Sequence, residues 1–220
     1  MNAVQNADKD SAKNWQQQLR GLYLVTPNWD DTQRLLEVTE RALAAGVRVL
    51  QYRHKTANIE LRYAQASALQ SLCKKYAVAF IINDFVNLCV QLNADGVHVG
   101  GSDISVAQAR SIVGPDKIVG SSCYGDLDLA RLAQTQGASY MAFGGFYPSL
   151  VKQYPVTTKP EIVELARAEL NLPQVVIGGM TVELARPLVE RGADMVAAIS
   201  SVYNAELPEQ VVRDFIALFQ

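Results

Sequence analysis

The sequence predicts a single α/β domain folded as a (β/α)8 barrel, the TIM-barrel architecture. Short apolar runs alternate with segments whose apolar residues recur at helical spacing, and eight such pairs fit into about 200 residues. The runs are continuous rather than alternating, which is typical of parallel strands buried on both faces. A glycine stands next to the start of several runs, as in Ala45-Gly46-Val47 and Gly192-Ala193-Asp194. A βα repeat needs this order, because a glycine ends a helix before the next strand.

Eight strands follow from the apolar runs. They are predicted at residues 21–26, 47–52, 78–82, 96–99, 118–121, 140–143, 175–178 and 195–199. An open doubly wound sheet is the alternative arrangement for the same pattern. No GxGxxG motif follows the first run, which argues against a dinucleotide-binding version of that sheet.

The segments between the strands predict amphipathic helices around the barrel. Leu35, Val38 and Ala42 recur at helical spacing, Asn58 is placed to cap the next helix, and Pro208 is placed to begin the last one. The first twenty residues are polar and contain no apolar stretch typical of a secretory signal. We therefore expect a flexible or partly helical tail over residues 1–20 and a catalytic barrel domain over 21–220.

The composition excludes several classes of function. The chain has 220 residues, a formal net charge of −2 and a hydrophobic fraction of 49%, so no basic field is available for nucleic acid or an anionic membrane. The three cysteines form no CxxC pair, which is typical of reduced thiols. We expect a cytoplasmic protein whose partners are small molecules and not nucleic acids or membranes, and which could assemble as a homodimer.

Polar residues at the ends of the predicted strands indicate where a ligand binds, because barrels bind ligands at the carboxyl ends of their strands. Gln51, Arg53 and Lys55 follow the second strand and lie on one side of an extended chain. Two cations and an amide that converge there suit a polyanion. A solvated charged loop is the alternative. His54 points the other way and is expected to be structural.

Two carboxylates follow the third and fourth strands. Asp84 and Asp103 lie on adjacent loops and have no cysteine or histidine cluster beside them, a pattern that favours Mg²⁺ held partly by substrate phosphate. The alternative for either residue is a helix N-cap. His98 ends the fourth strand and is expected to be a structural histidine.

A second anion site is predicted at the last two strands. Gly178 and Gly179 follow the seventh strand and Ser200 follows the eighth, the loops that form the recurrent phosphate site of this fold. Glycines allow close backbone approach to an anion, although a simple tight turn is the alternative. Lys152, after the sixth strand, is a third candidate cation. Two phosphorylated substrates bound side by side would account for both sites.

In this order the motifs resemble the thiamine phosphate synthase family from residue 21 to about residue 204. The matching segments are Gly21-Leu22-Tyr23-Leu24-Val25-Thr26, the Gln-x-Arg-x-Lys stretch, Ile82-Asn83-Asp84, Asp95-Gly96-Val97-His98-Val99-Gly100, Gly120 with Ser122, Tyr147-Pro148-Ser149, Ile177-Gly178-Gly179 and Ile199-Ser200. The set is specific as a whole, whereas a single member such as the Gly-Gly pair is weak.

The resemblance implies a transferase that joins 4-amino-2-methyl-5-hydroxymethylpyrimidine diphosphate to 4-methyl-5-(2-hydroxyethyl)thiazole phosphate and releases thiamine monophosphate and pyrophosphate. It implies that the pyrimidine diphosphate is held by Gln51, Arg53, Lys55, Asn83, Ser122 and Lys152, with Arg53, Lys55 and Lys152 as the catalytic cations. It implies Mg²⁺ at Asp84 and Asp103. It implies that the thiazole phosphate is held by Ser149, Gly179, Ile199 and Ser200.

The chain departs from the family pattern at two places. Ser149-Leu150-Val151-Lys152 stands where the family has Thr-x-Thr-Lys, and Gly101-Ser102 replaces a Gln-Glu pair before Asp103. Lys159 is the alternative to Lys152 as the active lysine. A thiazole tautomerase on the same barrel and a non-catalytic paralogue that binds thiamine phosphates are the alternative functions.

Overall fold

The computed structural model describes residues 19–148 and 158–220. Its eight parallel strands close into a barrel in chain order, from β1 to β8. The strands are β1 (Gly21–Val25), β2 (Val49–Tyr52), β3 (Ala79–Asn83), β4 (Gly96–Val99), β5 (Ile118–Tyr124), β6 (Tyr140–Gly144), β7 (Gln174–Ile177) and β8 (Met195–Ala198). The (β/α)8 prediction is confirmed, and the open sheet is excluded because β1 pairs with both β2 and β8.

β5 shows the largest extension beyond its predicted end. β5 continues past residue 121 to Tyr124, with a register shift against β6 between Ser122 and Tyr124. Ser122 therefore lies on a strand, and its side chain is held more rigidly than it would be in a loop. Such a bulge is common where a strand must re-aim a side chain.

Helices cover the outside of the barrel. They are α1 (Thr32–Ala44), α2 (Ile59–Lys75), α3 (Val86–Leu92), α4 (Val106–Val113), α5 (Leu127–Thr135), α6 (Ile162–Glu169), α7 (Val182–Glu190), α8 (Ser200–Tyr203) and α9 (Pro208–Ala217). The Asn58 side chain caps α2 as predicted, at 2.8 Å from the Leu61 N–H. Pro208 begins α9, also as predicted.

Two separate hydrophobic clusters hold the barrel together. The larger cluster lies between strands and helices and includes Leu50, Phe80, Phe143 and Phe215. The smaller cluster fills the barrel interior and includes Ile81 and other strand residues that face inward. The alternation of side chains along each strand explains this division, because successive residues point to opposite faces.

The amino ends of the strands are closed by polar contacts. The carboxylates of Asp95 and Asp194 accept hydrogen bonds from the N–H groups of Phe80 and Gln174, both at 2.9 Å. Leu19, which the sequence assigns to the tail, is buried in the interior cluster below β1. Residues 1–18 of the predicted tail lie outside the described residues.

A search of the described helices finds none that combines the length and the apolar character needed to cross a membrane.

Candidate active site

An open cavity lies at the carboxyl ends of the strands. Seven of the side chains predicted from the sequence line it: Gln51, Arg53, Lys55, Asn83, Asp84, Asp103 and Ser122. They come from β2, β3, β5 and the loops after β2, β3 and β4. The structure therefore brings the predicted cations, carboxylates and amides to one place.

Arg53 is held by the end of the first strand. Its N–H donates to the Thr26 hydroxyl at 2.7 Å, and the same hydroxyl donates back to the Arg53 carbonyl at 3.2 Å. The guanidinium donates to the Asn28 side chain at 3.4 Å and only 8% of the residue is exposed. A buried guanidinium is stabilised by negative charge, so this position favours a phosphate ligand.

Lys55 and Asp84 form an ion pair across the cavity, with 2.9 Å between Nζ and Oδ2. Asp84 has a left-handed backbone (φ 63°) directly after β3, a conformation that a non-glycine residue adopts at some cost and that is common at functional sites. Its side chain does not cap a helix, because α3 begins at Val86 with Phe85 in the N-cap position. The N-cap alternative for Asp84 is therefore excluded.

Asp103 lines the cavity together with Asp84. Partial burial and the adjacent Asp84 raise the pKa of Asp103, while a 2.8 Å hydrogen bond from the Gly100 N–H opposes the shift. Ser105, not Asp103, caps α4. Two carboxylates in contact repel each other unless a proton or a cation lies between them.

These two carboxylates fit a hard divalent cation. The residues that the structure describes contain no group of three or more His, Cys, Asp or Glu side chains able to hold a metal ion. Mg²⁺ needs no such group, because it is commonly held by one or two carboxylates, with water and substrate phosphate completing the shell. Asp84 and Asp103 offer this donor set.

Two contacts fix the loops that carry the charged residues. His54 is buried, accepts a 3.1 Å hydrogen bond from the Ala57 N–H at Nδ1 and bonds the Asp30 carboxylate at 2.9 Å through Nε2. The Arg62 guanidinium lies 3.7 Å from the centre of the Phe85 ring, next to Asp84. His54 is thus structural, as predicted, and serves the loop that carries Arg53.

Asn83 has an unsatisfied donor inside the cavity. Its Nδ2 is buried and has no hydrogen-bond partner among the described residues, and the side chain lines the cavity. A buried N–H without a partner costs about 1–3 kcal/mol. A ligand oxygen that accepts from Asn83 would remove this penalty.

The predicted phosphate cradle lies at the same end of the barrel, on β7 and β8. Gly178 and Gly179 have φ angles of 123° and 59°, and a Cβ on Gly179 would lie 2.2 Å from the Pro148 carbonyl oxygen. Position 179 therefore requires glycine, both because of its left-handed backbone conformation and because of the nearby Pro148 carbonyl. Ser200 begins α8, where the first N–H groups have no partner within the helix.

The sequence of the chain matches one family over most of its length. The profile of the family described as "Thiamine monophosphate synthase" matches residues 22–202. A thiamine-phosphate synthase of Janthinobacterium sp. (strain Marseille) is 63% identical over 201 residues, which cover 91% of this chain and 97% of that protein. The chain belongs to the thiamine monophosphate synthase family.

Further comparisons agree with membership of the thiamine monophosphate synthase family. A thiamine-phosphate synthase of Thiobacillus denitrificans is 46% identical over 201 residues, covering 90% of this chain and 94% of that protein. The solved structure of a thiamine phosphate pyrophosphorylase from Pyrococcus furiosus superposes with a TM-score of 0.80 and 28% identity, covering 94% of this chain and 98% of that one. The barrel of this family member therefore has a solved counterpart over nearly its whole length.

Some predicted residues lie outside the cavity or outside the described part of this family member. Ser149 and Lys152 fall in the segment 149–157, which is outside the described residues. Gly179, Ile199 and Ser200 follow β7 and β8 beside the cavity and are not part of its lining within the described chain. Lys159 is exposed just before α6 and does not line the cavity either.

Four side chains at this site of the thiamine monophosphate synthase family member were not among the predicted site residues. Tyr23, His98 and Tyr124 line the cavity, and Tyr140 lies buried beneath it. The expectation that His98 is only structural is too narrow, because its ring contacts Ser122 in the cavity wall at 2.9 Å. Inward-facing tyrosines on apolar strands are the sequence signal that could have revealed this layer.

Proposed function

We propose that the chain is a thiamine phosphate synthase that uses Mg²⁺ and acts at the mouth of its barrel. It joins the pyrimidine diphosphate to the thiazole phosphate and releases thiamine monophosphate and pyrophosphate. The observation that carries this proposal is the gathering of Arg53, Lys55, Asn83, Asp84 and Asp103 in one cavity of a thiamine monophosphate synthase family member. Cations, a carboxylate pair and an unsatisfied amide in one cavity are suited to a metal-bound diphosphate.

The diphosphate end of the first substrate is assigned to the cationic side of the cavity. Arg53 and Lys55 would bind its oxygens and so stabilise the negative charge that grows on pyrophosphate as it leaves. Asn83 would donate its unpaired N–H, and Ser122 and Gln51 would complete the contacts of this substrate. Lys152 is proposed as the third catalytic cation.

Asp84 and Asp103 would hold Mg²⁺ in the cavity. When bound, the ion supplies charge neutralisation for the leaving group. Lys55 is already 2.9 Å from Asp84, so this ammonium group lies next to both the carboxylates and the proposed diphosphate. Its position suits a mobile cation that moves from the carboxylate to the departing phosphate.

The thiazole phosphate is assigned to the cradle formed by Gly179, Ile199 and Ser200, and Ser149 is proposed as a further ligand. Backbone N–H groups at the start of α8 and the Ser200 hydroxyl would donate to the phosphate oxygens. The cradle adjoins the cavity, so the thiazole nitrogen would lie close to the methylene carbon of the pyrimidine. Proximity of the two reactants supplies much of the rate enhancement.

The reaction requires no protein nucleophile. The bond from the methylene carbon to the diphosphate oxygen breaks, its electrons leave with pyrophosphate, and the thiazole nitrogen forms the new bond to that carbon. Cys123 is the cysteine near the rim of the cavity, and burial raises the pKa of its thiol to about 11. A protonated, fully buried thiol is a poor nucleophile, in agreement with a mechanism based on orientation and charge.

A direct assay tests the proposal. Purified protein is mixed with both substrates and Mg²⁺, and thiamine monophosphate and pyrophosphate are measured together; we expect equimolar formation of both that EDTA abolishes and added Mg²⁺ restores. Tautomerisation of a thiazole carboxylate without pyrophosphate release would show an isomerase. Tight binding of thiamine monophosphate without turnover would show a non-catalytic paralogue.

Assembly as a homodimer and location in the cytoplasm stay predictions. Analytical ultracentrifugation of the full chain tests the first, and cell fractionation tests the second.

A further inference from the structure

A chain of hydrogen bonds crosses the barrel interior directly beneath the cavity. The Gln51 Nε2 donates to the Tyr23 hydroxyl at 2.8 Å, and the hydroxyls of Tyr23 and Tyr140 are 2.6 Å apart. Tyr140 is 2.9 Å from Nδ1 of His98, and Nε2 of His98 is 2.9 Å from the Ser122 hydroxyl. Five different strands contribute one residue each, and both ends of the chain line the cavity.

The packing around these hydrogen-bonded side chains leaves space for their rings. A Cβ on Gly120 would lie 2.0 Å from the Tyr140 ring, so glycine at this position of β5 leaves the space that the ring fills. The rings of Tyr23 and Tyr140 meet edge to face with centroids 5.7 Å apart, and Tyr140 and His98 stack at the same centroid distance. These contacts leave the side chains little freedom to exchange partners.

The number of protons available fixes which group donates in each of these hydrogen bonds. Burial raises the pKa of Tyr23 and of Tyr140, so both phenols keep their single proton. Tyr23 accepts from Gln51 and must therefore donate to Tyr140. Tyr140 must then donate to Nδ1 of His98, because its other partner has already used its proton.

The same reasoning fixes the donor and acceptor roles of His98 and Ser122. Nδ1 of His98 accepts, so the neutral ring carries its proton on Nε2 and donates it to the Ser122 oxygen. The proton of the Ser122 hydroxyl is then free to point into the cavity. At the other end, Gln51 directs its amide nitrogen inward to Tyr23, which leaves its carbonyl oxygen on the side of the cavity that this residue lines.

We propose that Tyr23, Tyr140 and His98 are positioning residues that preset opposite hydrogen-bonding character at the two ends of the pyrimidine diphosphate subsite. Gln51 presents an acceptor, which selects a ring that carries an exocyclic amino group. Ser122 presents a donor, which binds a phosphate oxygen. The inference rests on the proposed function and adds to it a reason for selecting an aminopyrimidine over an oxopyrimidine.

The selection arises because the hydrogen bonds from Gln51 to Ser122 can change direction only all together. An oxo group at the ring would require Gln51 to turn its N–H outward and its carbonyl toward Tyr23. The hydroxyls of Tyr23, Tyr140 and Ser122 would then have to donate in the opposite direction, and the proton of His98 would have to move from Nε2 to Nδ1. Ser122 would present only lone pairs to the phosphate. The wrong ring therefore costs the enzyme a phosphate contact as well as a ring contact.

The first test measures specificity. The ratio of kcat/KM for the aminopyrimidine diphosphate over its 4-oxo analogue is compared in the wild-type protein and in Tyr140→Phe, which removes the central link and keeps the ring. We expect the ratio to fall about tenfold, the size of effect that one hydrogen bond to a ligand gives. Tyr203→Phe is the matched control, because it removes a buried hydroxyl bonded to Thr39 in the helix layer, at 2.8 Å, and should leave the ratio unchanged.

The second test needs neither substrates nor a variant. Protein labelled with ¹⁵N-histidine should show His98 as a neutral ring protonated on Nε2 at neutral pH. His54 is the other histidine of the chain and serves as an internal reference, since its Nδ1 accepts from the Ala57 N–H. In Tyr140→Phe only the His98 Nδ1 signal should move.

The outcomes separate the two proposals. A wild-type His98 ring protonated on Nδ1, or an unchanged specificity ratio in folded Tyr140→Phe, would overturn the positioning role even if the protein makes thiamine monophosphate. Absence of product with the wild-type protein would overturn the proposed function, and the tautomer measurement would still decide the direction of the chain.

Discussion

The two sides of the barrel mouth are built from different materials. On the side of β2 to β5, charged and amide side chains project into the cavity, and Arg53, Asp84 and Asp103 each have partners that fix them. On the side of β7 and β8, the groups offered to a ligand are backbone N–H groups and one hydroxyl, shaped by Gly179 and the start of α8. One side supplies charge, and the other supplies shape.

Because of this difference, we expect substitutions on the two sides to change different kinetic quantities. Charged side chains contribute most where negative charge develops during the reaction, so the β2–β5 side should govern turnover. A backbone cradle binds its phosphate equally in the ground state and the transition state, so the β7–β8 side should govern affinity. The following substitutions test this division, starting with the largest expected effect.

Asp84→Ala should lower kcat by at least about 100-fold, because the proposed metal ligand that neutralises the leaving group is lost. Steady-state assays at saturating substrates and several Mg²⁺ concentrations measure the effect. Asp214→Ala, on the exposed surface of α9, is the control and should match the wild type. A rate near that of the wild type in Asp84→Ala would remove this residue from the metal site.

Gly179→Ala should raise the KM for thiazole phosphate about 30-fold with a smaller change in kcat. The added methyl group would have to displace the Pro148 carbonyl, and the alanine would have to keep a left-handed backbone conformation. Gly114→Ala provides the control, because Gly114 also has a positive φ of 85° and no atom within 4 Å of the added Cβ. Equal effects of the two changes on KM would mean that strain alone, and not the cradle, is responsible.

Ser200→Ala should weaken thiazole phosphate binding about tenfold, the consequence of losing one hydrogen bond to a charged group. Isothermal titration with each substrate separately gives both affinities. Ser111→Ala, on the outer surface of α4, is the comparison variant. A selective loss of pyrimidine diphosphate affinity would show that the two subsites are exchanged.

Asp103→Asn should raise the Tm of the metal-free protein only slightly, by about 1–2 °C, because it removes a carboxylate that repels Asp84 while solvent screens this exposed position. The raised pKa of Asp103 means that the folded state binds this proton more tightly than the unfolded chain. The wild type should therefore gain stability as pH falls through that pKa, and the variant should not.

Thermal unfolding with and without Mg²⁺ over a range of pH tests both parts of this prediction. We expect Mg²⁺ to raise the Tm of the wild type and to have little effect on Asp103→Asn. A metal-free variant that unfolds at a lower temperature than the wild type would contradict the repulsion between the two carboxylates.

The sequence was sufficient for the barrel and for the charged side of its mouth. Continuous apolar runs identify strands buried on both faces, and alternation places Gln51, Arg53 and Lys55 together, because both patterns depend on local geometry. The extension of β5 to Tyr124 was missed, since the polar Ser122 after residue 121 is typical of a loop.

The hydrogen-bonded layer beneath the cavity could not be predicted in the same way. Tyr23 and Tyr140 are 117 positions apart in sequence, and only closure of the barrel brings their hydroxyls together. Each reads singly as an ordinary aromatic strand residue. The partners of a buried hydroxyl depend on tertiary contacts that no local pattern contains.

The division into two apolar clusters has a consequence for protein engineering. Most large buried side chains lie in the layer between strands and helices, while the lumen near the mouth contains Tyr23, Gln51, His98 and Tyr140. Most of the core packing thus lies on the outward faces of the strands, whereas the proposed selection of the substrate ring lies on polar positions of their inward faces near the mouth. Libraries restricted to lumen positions should yield altered ring preferences at little loss of expression, whereas equal diversity in the outer layer should yield mainly unfolded protein.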